Sequence, residues 1–322
     1  MNSFGHRFRI TLFGESHGPL MGIVIDGVPP GLPLSQEDFS QDLGRRKSGP
    51  LGTTPRKEEA RPLIRAGLYQ GKCTGAPLVI LFENRDVNPD DYRSFTDMPR
   101  PGHADYTARV KYKDFNDPRG GGMFSGRLTA GLVAAGVVSK KIIAPVEISA
   151  RLLKAGGSEN IESAVRTALE AGDSIGGLIE CRAEKIPAGL GDPFFDSVES
   201  LLAHALFSIP GVTGIEFGSG FHSAEMRGSE HNDCLKDSEG HTATNHAGGI
   251  NGGITNGNPL LFRVAVKPTP TIPHAQETVN MATGKMETLR GTGRHDACFA
   301  LRVPVIIEAV TAMVLADLIN SK

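Results

Sequence analysis

The sequence predicts an α+β fold, sheets packed with helices in a single domain over residues 1–322, and three observations predict it. Helical and strand patterns are intermixed, but the long gaps and hairpin-like turns between them do not fit regular alternating βαβ units. An apolar fraction of 39% with 40 glycines and 21 prolines provides a core and many tight turns. A Gly-rich stretch also recurs, so the fold is expected to contain an internal duplicated unit.

Residues 7–13 and 21–28 read as strands around a Gly-rich turn. Ser35-Gln36-Glu37-Asp38 has capping-box spacing and should open a helix ending near Arg45. Residues 77–82 form a strand, and 125–142 a long helix rich in Ala and Val. Further helices are expected over 161–170, 197–207 and 303–319, and further strands over 179–186, 214–218 and 260–267. The recurring stretch is "GESHGPLMGIVIDGVPPGL" (14–32) against "GDSIGGLIECRAEKIPAGL" (172–190), aligned without a gap at an offset of 158. Each copy leads into a capped helix. His17 of the first copy is Ile175 in the second, so the imidazole is not needed to build the turn, which tilts His17 toward chemistry.

Composition excludes several partners. A net charge of −2 gives no basic field to recruit nucleic acid, so an anionic ligand must be met by local clusters. The C-terminal apolar stretch is interrupted by Glu308 and Asp317, too polar for a membrane span, and residues 1–20 show no signal peptide. Cys73, Cys181, Cys234 and Cys298 show no C-x-x-C spacing, which points to reduced thiols and a cytoplasmic address.

His17 and His103 are the candidate acid–base residues; His103 lies in "RPGHADY" (100–106) with Arg100 and Asp105 nearby. Either could instead be a loop histidine bonded to backbone. Cations cluster over "GRRKSGPLGTTPRKEEAR" (44–61), including Arg45, Arg46 and Arg56, as a solvated face or as a grip on carboxylate or phosphate. "RGGGMFSGRLTAG" (119–131) runs bare backbone into a helix start, a pattern expected to present the N–H groups of Gly120 to Gly122 to an anion. Arg127, Lys267 and Arg294 are isolated cations beside Gly or Pro. His231, Cys234, His241 and His246 lack a second paired motif, so no metal is expected. There is no P-loop, no Rossmann glycine spacing and no nucleophile elbow.

"FGESHG" (13–18), "DGVPPG" (26–31), "RPGHADYT" (100–107), "RGGG" (119–122), "AGLG" (188–191), "NHAGGINGG" (245–253), "KPT" (267–269) and "GRHDAC" (293–298), in this order, resemble the motifs of the chorismate synthase family. The resemblance implies a β-α-β sandwich, a homotetramer, and a lyase that eliminates phosphate from 5-enolpyruvylshikimate 3-phosphate to give chorismate with reduced FMN. It leaves open whether NADPH or an outside reductant supplies the flavin's electrons. By resemblance, His17 protonates the departing phosphate, His103 protonates the reduced flavin, and Asp296 assists proton transfer at flavin N5. Ser125, Pro210, Gly211, Gly252, Lys267, Pro268, Thr269, Pro270, Thr271 and Arg294 match flavin-contacting positions. Ser16, Arg45, Arg46, Arg56 and Arg127 match the substrate side, Arg46 alternatively contacting NADPH. The family usually reads "RGGGRSSARET" where this chain has Met123, Phe124, Gly126 and Leu128, and the segment after Ile143 is shorter than usual. That loop motivates two alternatives: a non-catalytic relative that binds flavin or an anionic metabolite, or an enzyme of altered specificity.

Overall fold

The computed structural model describes residues 2–54, 60–85, 94–291 and 295–320. The first half contains β1 (Ser3–Phe4), β2 (Arg9–Gly14), β3 (Leu20–Asp26), α1 (Ser40–Arg46), β4 (Leu63–Ala66), the small hairpin β5 (Leu68–Tyr69) and β6 (Lys72–Cys73), β7 (Leu78–Glu83), α2 (Asp105–Tyr112) and α3 (Thr129–Ile142). The second half contains β8 (Glu147–Ala155), α4 (Ile161–Glu170), β9 (Gly177–Glu184), α5 (Val198–Leu206), β10 (Val212–Phe217), α6 (Gly228–His231), the hairpin β11 (Ile250–Asn251) and β12 (Ile254–Thr255), β13 (Leu260–Val266), the ribbon β14 (Ala275–Asn280) and β15 (Lys285–Arg290), and α7 (Pro304–Asn320).

Each half makes its own antiparallel sheet, in the orders β1-β2-β3-β7-β4 and β10-β13-β9-β8. Burial alternates along β7 and β13, so each sheet turns an apolar face inward. Helix α3 lies on β2 and β3, α7 lies on β8 and β9, and the two helices pack on each other. The result is a sheet–helix–sheet sandwich. Helix α7 is apolar nearly all round, as a helix covered on every side must be. Close approach of the two helices requires Gly136, where a Cβ would overlap Ala309.

The internal echo has an architectural counterpart. Residues 20–26 and 178–184 are the inner strands β3 and β9, each paired on both sides, and α1 and α5 start at the same offset. The capping-box segment opens as a short 3-10 turn, in which Asp38 accepts from the Ser35 N–H at 2.7 Å. The helix expected over 125–142 begins instead with a 3-10 turn at Gly126–Leu128, capped by Ser125, whose hydroxyl accepts from the Arg127 N–H at 3.3 Å.

Two carboxylates tie the layers together. Glu308, 3% exposed in α7, accepts two hydrogen bonds from Arg45 at 2.7 Å, one from Lys140 at 3.2 Å and one from the Ala150 N–H at 2.9 Å. Asp317, also in α7, accepts the backbone N–H groups of His6, Arg7 and Phe8 at 3.0, 2.6 and 2.9 Å. Among the described residues no helix is long and apolar enough to cross a membrane.

Candidate active site

A cavity of about 540 Å³ opens where the β2–β3 turn, the loop before α2, the glycine loop before α3, the segment after α5 and the segment after β13 converge. The turn after β2 buries Ser16 and His17, 1% and 7% exposed, and Asn84 braces it by donating to the Glu15 and Gly18 carbonyls at 2.9 Å. Ser16 donates its N–H to the Gly122 carbonyl at 3.1 Å, which stitches this turn to the glycine loop. Ser16 Oγ lies 3.3 Å from His17 Nδ1.

The three loop glycines have φ of 60°, 80° and 53°, the left-handed region that disfavours side chains. A Cβ on Gly120 would overlap the His17 ring, and one on Gly122 would overlap the Asp117 carbonyl. A Cβ on Gly121 would only touch His103, at 3.5 Å. The loop therefore threads between the two histidines, and bare backbone at Gly120 is required so that the His17 ring can close on it. At Gly121 the expected anion cradle needs correction: its N–H points inward to the Pro118 carbonyl at 3.2 Å.

His103 is held by its neighbours. Its Nδ1 lies 2.6 Å from Asp105 Oδ1. Arg100, 6% exposed, grips the same carboxylate with Nε at 2.7 Å and Nη2 at 2.8 Å, and donates Nη1 to Thr271 Oγ1 at 3.1 Å. The Phe95 ring stacks on this guanidinium, 4.5 Å from its centre. Burial would raise the Asp105 carboxyl, but hydrogen bonds from Arg100 and His103 hold it well below the ordinary range. His103 is displaced below the ordinary imidazole value, by burial first and by the charges of Arg100 and Lys267, against the pull of Asp105.

Across the cavity Asp296 accepts from the Thr54 N–H at 2.8 Å and from Arg302 Nη1 at 3.2 Å to both oxygens. Arg302 Nε in turn donates to the Arg46 carbonyl at 2.9 Å. Lys267 donates to the Gly102 carbonyl at 2.6 Å, closing the wall beside His103. The structure thus brings His17, His103 and Asp296 to one space, with Ser16, Ser125 and Arg127. Pro210, Gly211, Lys267, Pro268, Thr269, Pro270 and Thr271 also line it. Met123 and Phe124 form part of the wall, Met123 against the core and Phe124 at its mouth beside Tyr112, ring centres 6.3 Å apart.

Other expected site residues are placed differently. Arg45 faces Glu308 and does not line the cavity, because its guanidinium neutralises that buried carboxylate. Arg46 does line it, but Nε binds Thr129 Oγ1 at 2.9 Å and Nη2 binds the Gly126 and Arg127 carbonyls at 2.9 and 3.1 Å, so these donors brace the start of α3. Arg127 likewise lines the cavity while donating to Asn84 Oδ1 at 3.2 Å and the Glu83 carbonyl at 3.3 Å. Gly252 sits in the β11–β12 turn and is not on the cavity wall. Arg56 and Arg294 lie outside the described residues. Sequence reasoning did not assign Arg302 or Phe299 to the cavity and noted Arg100 and Asp105 only as neighbours of His103.

A sequence model of the family "Chorismate synthase" matches residues 8–319. The chain is 58% identical over 318 residues to a chorismate synthase of Chitinophaga pinensis, covering 98% of this chain and 96% of that one. It is 42% identical over 349 residues to a chorismate synthase of Dehalococcoides mccartyi, again covering 98% and 96%. The longer alignment for the same coverage means that this second relative carries extra residues, whereas the first is nearly equal in length. A crystal structure of a chorismate synthase superposes with a TM-score of 0.76 at 26% identity, over 99% of this chain and 93% of that chain.

Proposed function

The chain belongs to the chorismate synthase family, lyases of the last shikimate-pathway step, and we propose that the cavity performs the elimination on this chain's own histidines with reduced FMN bound. The observation that carries the reading is the meeting of His17, His103 and Asp296 on one cavity, with the glycine loop between the two rings. The residues present fit a flavin. Thr269 Oγ1 is buried without a hydrogen-bond partner among the described residues, a group that a polar ring edge would satisfy. Phe299, Ile209 and Val212 offer apolar surface beside Lys267 and Thr271, the mixture an aromatic ring with polar edges needs. When bound, reduced FMN supplies a transient electron that helps expel phosphate.

The protein's part is positional and acid–base. His17, buried against Gly120 and Ser16, donates a proton to the departing phosphate. His103 takes up and returns a proton at Nε2 while Nδ1 stays with Asp105. Asp296 is kept at a fixed point by Arg302 and Thr54 and would present its carboxyl group to a flavin bound in the cavity, assisting proton transfer there. Arg127 and Ser16 serve the substrate's anionic groups. We also place the enzyme in the cytoplasm as a homotetramer acting as a single domain, with NADPH or an outside reductant as the electron source. Three buried free cysteines suit a reducing compartment, and one core cluster continuous across both halves suits one domain.

The test is anaerobic formation of chorismate with pre-reduced FMN. Turnover by the native chain is expected, with a loss of about 10²–10⁴-fold in His17→Ala, the usual worth of a general acid, and little change in melting temperature. The apolar pair Met123 and Phe124 favours one rival, a relative that binds flavin without turnover. Tight binding with no chorismate would select that rival.

A further inference from the structure

We propose that Arg100 and Asp105 are positioning residues that hold His103 as the Nδ1–H tautomer, leaving Nε2 to exchange the proton. The inference rests on the reading that His103 carries a proton during the reaction. It starts from two contacts at one nitrogen. A carboxylate oxygen 2.6 Å from Nδ1 requires the hydrogen to sit on Nδ1, since a carboxylate only accepts. Arg100 Nη2, which carries two hydrogens, is 3.0 Å from the same nitrogen and 2.8 Å from Asp105 Oδ1. The shorter contact decides, because a bare Nδ1 lone pair would face the carboxylate oxygen at 2.6 Å. The remaining ring nitrogen, Nε2, lies on the side where Gly121 leaves space.

Asp105 cannot turn away. Arg100 binds both its oxygens, and the Arg100 backbone N–H adds a third bond at 3.1 Å. Arg100 is itself fixed between Phe95 and Thr271, so rigidity passes from the segment after β13 through a guanidinium and a carboxylate to one imidazole. The charged groups facing His103 are Asp105 from α2, Arg100 from its own loop and Lys267 from the end of β13. Asp105 favours the imidazolium and the two cations oppose it. Removing Asp105 or Arg100 should therefore move His103 in opposite directions. Loss of packing alone would have no reason to do that.

The experiment uses the flavin-free protein with ¹⁵N-labelled histidine. Ring-nitrogen spectra report tautomer and titration, and His103→Asn assigns the signal. The native chain should show Nδ1–H. Asp105→Asn should weaken that preference and titrate lower, and Arg100→Gln should titrate higher. With flavin and substrate, Asp105→Asn should lower kcat by about 10–100-fold with KM nearly unchanged, the range for orienting partners of a functional histidine. Asp105→Glu, which keeps the charge, should recover part of it. An Nε2–H tautomer in the native chain, or shifts of the same sign in both variants, overturns the proposal without any variant needing to be active. Expected spectra with undiminished turnover would support the positioning and refute the reading of His103 as proton carrier.

Discussion

Substituting alanine for each glycine of the 120–122 loop should separate three effects that share one backbone geometry. All three residues have positive φ, so each substitution carries the left-handed penalty of about 1–2 kcal/mol. At Gly121 that is nearly all, because the new methyl would sit 3.5 Å from His103, an ordinary contact. At Gly120 the methyl would sit 2.1 Å from His17 Nδ1 and 2.8 Å from Ser16 Oγ. To restore contact at 3.4 Å the ring must retreat by 3.4 − 2.1 = 1.3 Å. A displacement of about 1 Å at a reacting group can cost about 10²-fold in rate. At Gly122 the obstacle is the Asp117 carbonyl, which is backbone and cannot rotate aside. The expected order of melting temperature is therefore Gly121→Ala above Gly120→Ala above Gly122→Ala. Turnover should stay near native in Gly121→Ala and fall about 10²-fold in Gly120→Ala. Thermal unfolding and chorismate formation on purified protein measure both. If Gly120→Ala turns over normally, His17 does not act from the position described and the spacer account of the loop is wrong.

Three further outcomes follow from the same geometry. Arg45→Ala should leave KM unchanged and lower stability by about 1–2 kcal/mol, a buried-pair cost discounted because Arg45 is 40% exposed; a raised KM would return Arg45 to the binding site. Burial pushes the Glu308 carboxyl up, yet Arg45, Lys140 and the Ala150 N–H bring it below its ordinary value. A depressed carboxylate stabilises the fold fully above its unfolded value of about 4.3 and loses that contribution as pH falls through the folded value. Glu308→Gln should thus be less stable than native at neutral pH, with the gap closing in acid; a gap constant with pH would contradict this. Met123→Arg with Phe124→Ser forfeits the Tyr112 contact, worth about 0.5–1.5 kcal/mol, and should still tighten FMN at least about tenfold in fluorescence titration. Unchanged affinity would mean that the apolar wall is already matched to the ring.

Legibility in the sequence tracked how local each cause is. Helix α4, with its apolar stripe, and β13, with its strict alternation, matched closely because burial alone dictates them. Helix α2 and the β14–β15 ribbon were missed, since they are mostly exposed and α2 buries only Ala108. Strand β8 was missed as well, although Ile148, Ala150 and Leu152 alternate along it. The basic run named Arg45 and Arg46 together, but neighbours on a helix diverge by about 100°. One meets Glu308 and the other the start of α3. The glycine loop announced that bare backbone was needed, not what would press on it. The two rings arrive from segments remote in sequence, and no local pattern encodes their approach. Thr54 reaches Asp296 the same way, across 242 residues.

The carboxylate of Asp317 collecting the N–H groups of residues 6–8 has a bearing on the order of assembly. The inner face of the first sheet is covered by α3, and the far side of α3 by α7, so neither half can finish its core alone. The ribosome must deliver α7 before the opening strands acquire their final partners. Contacts spanning some 310 residues make this a topology of high contact order, which slows folding and prolongs exposure of β2 and β3. Truncating the chain before α7 should leave, in place of a smaller working domain, an aggregating nascent sheet dependent on chaperones.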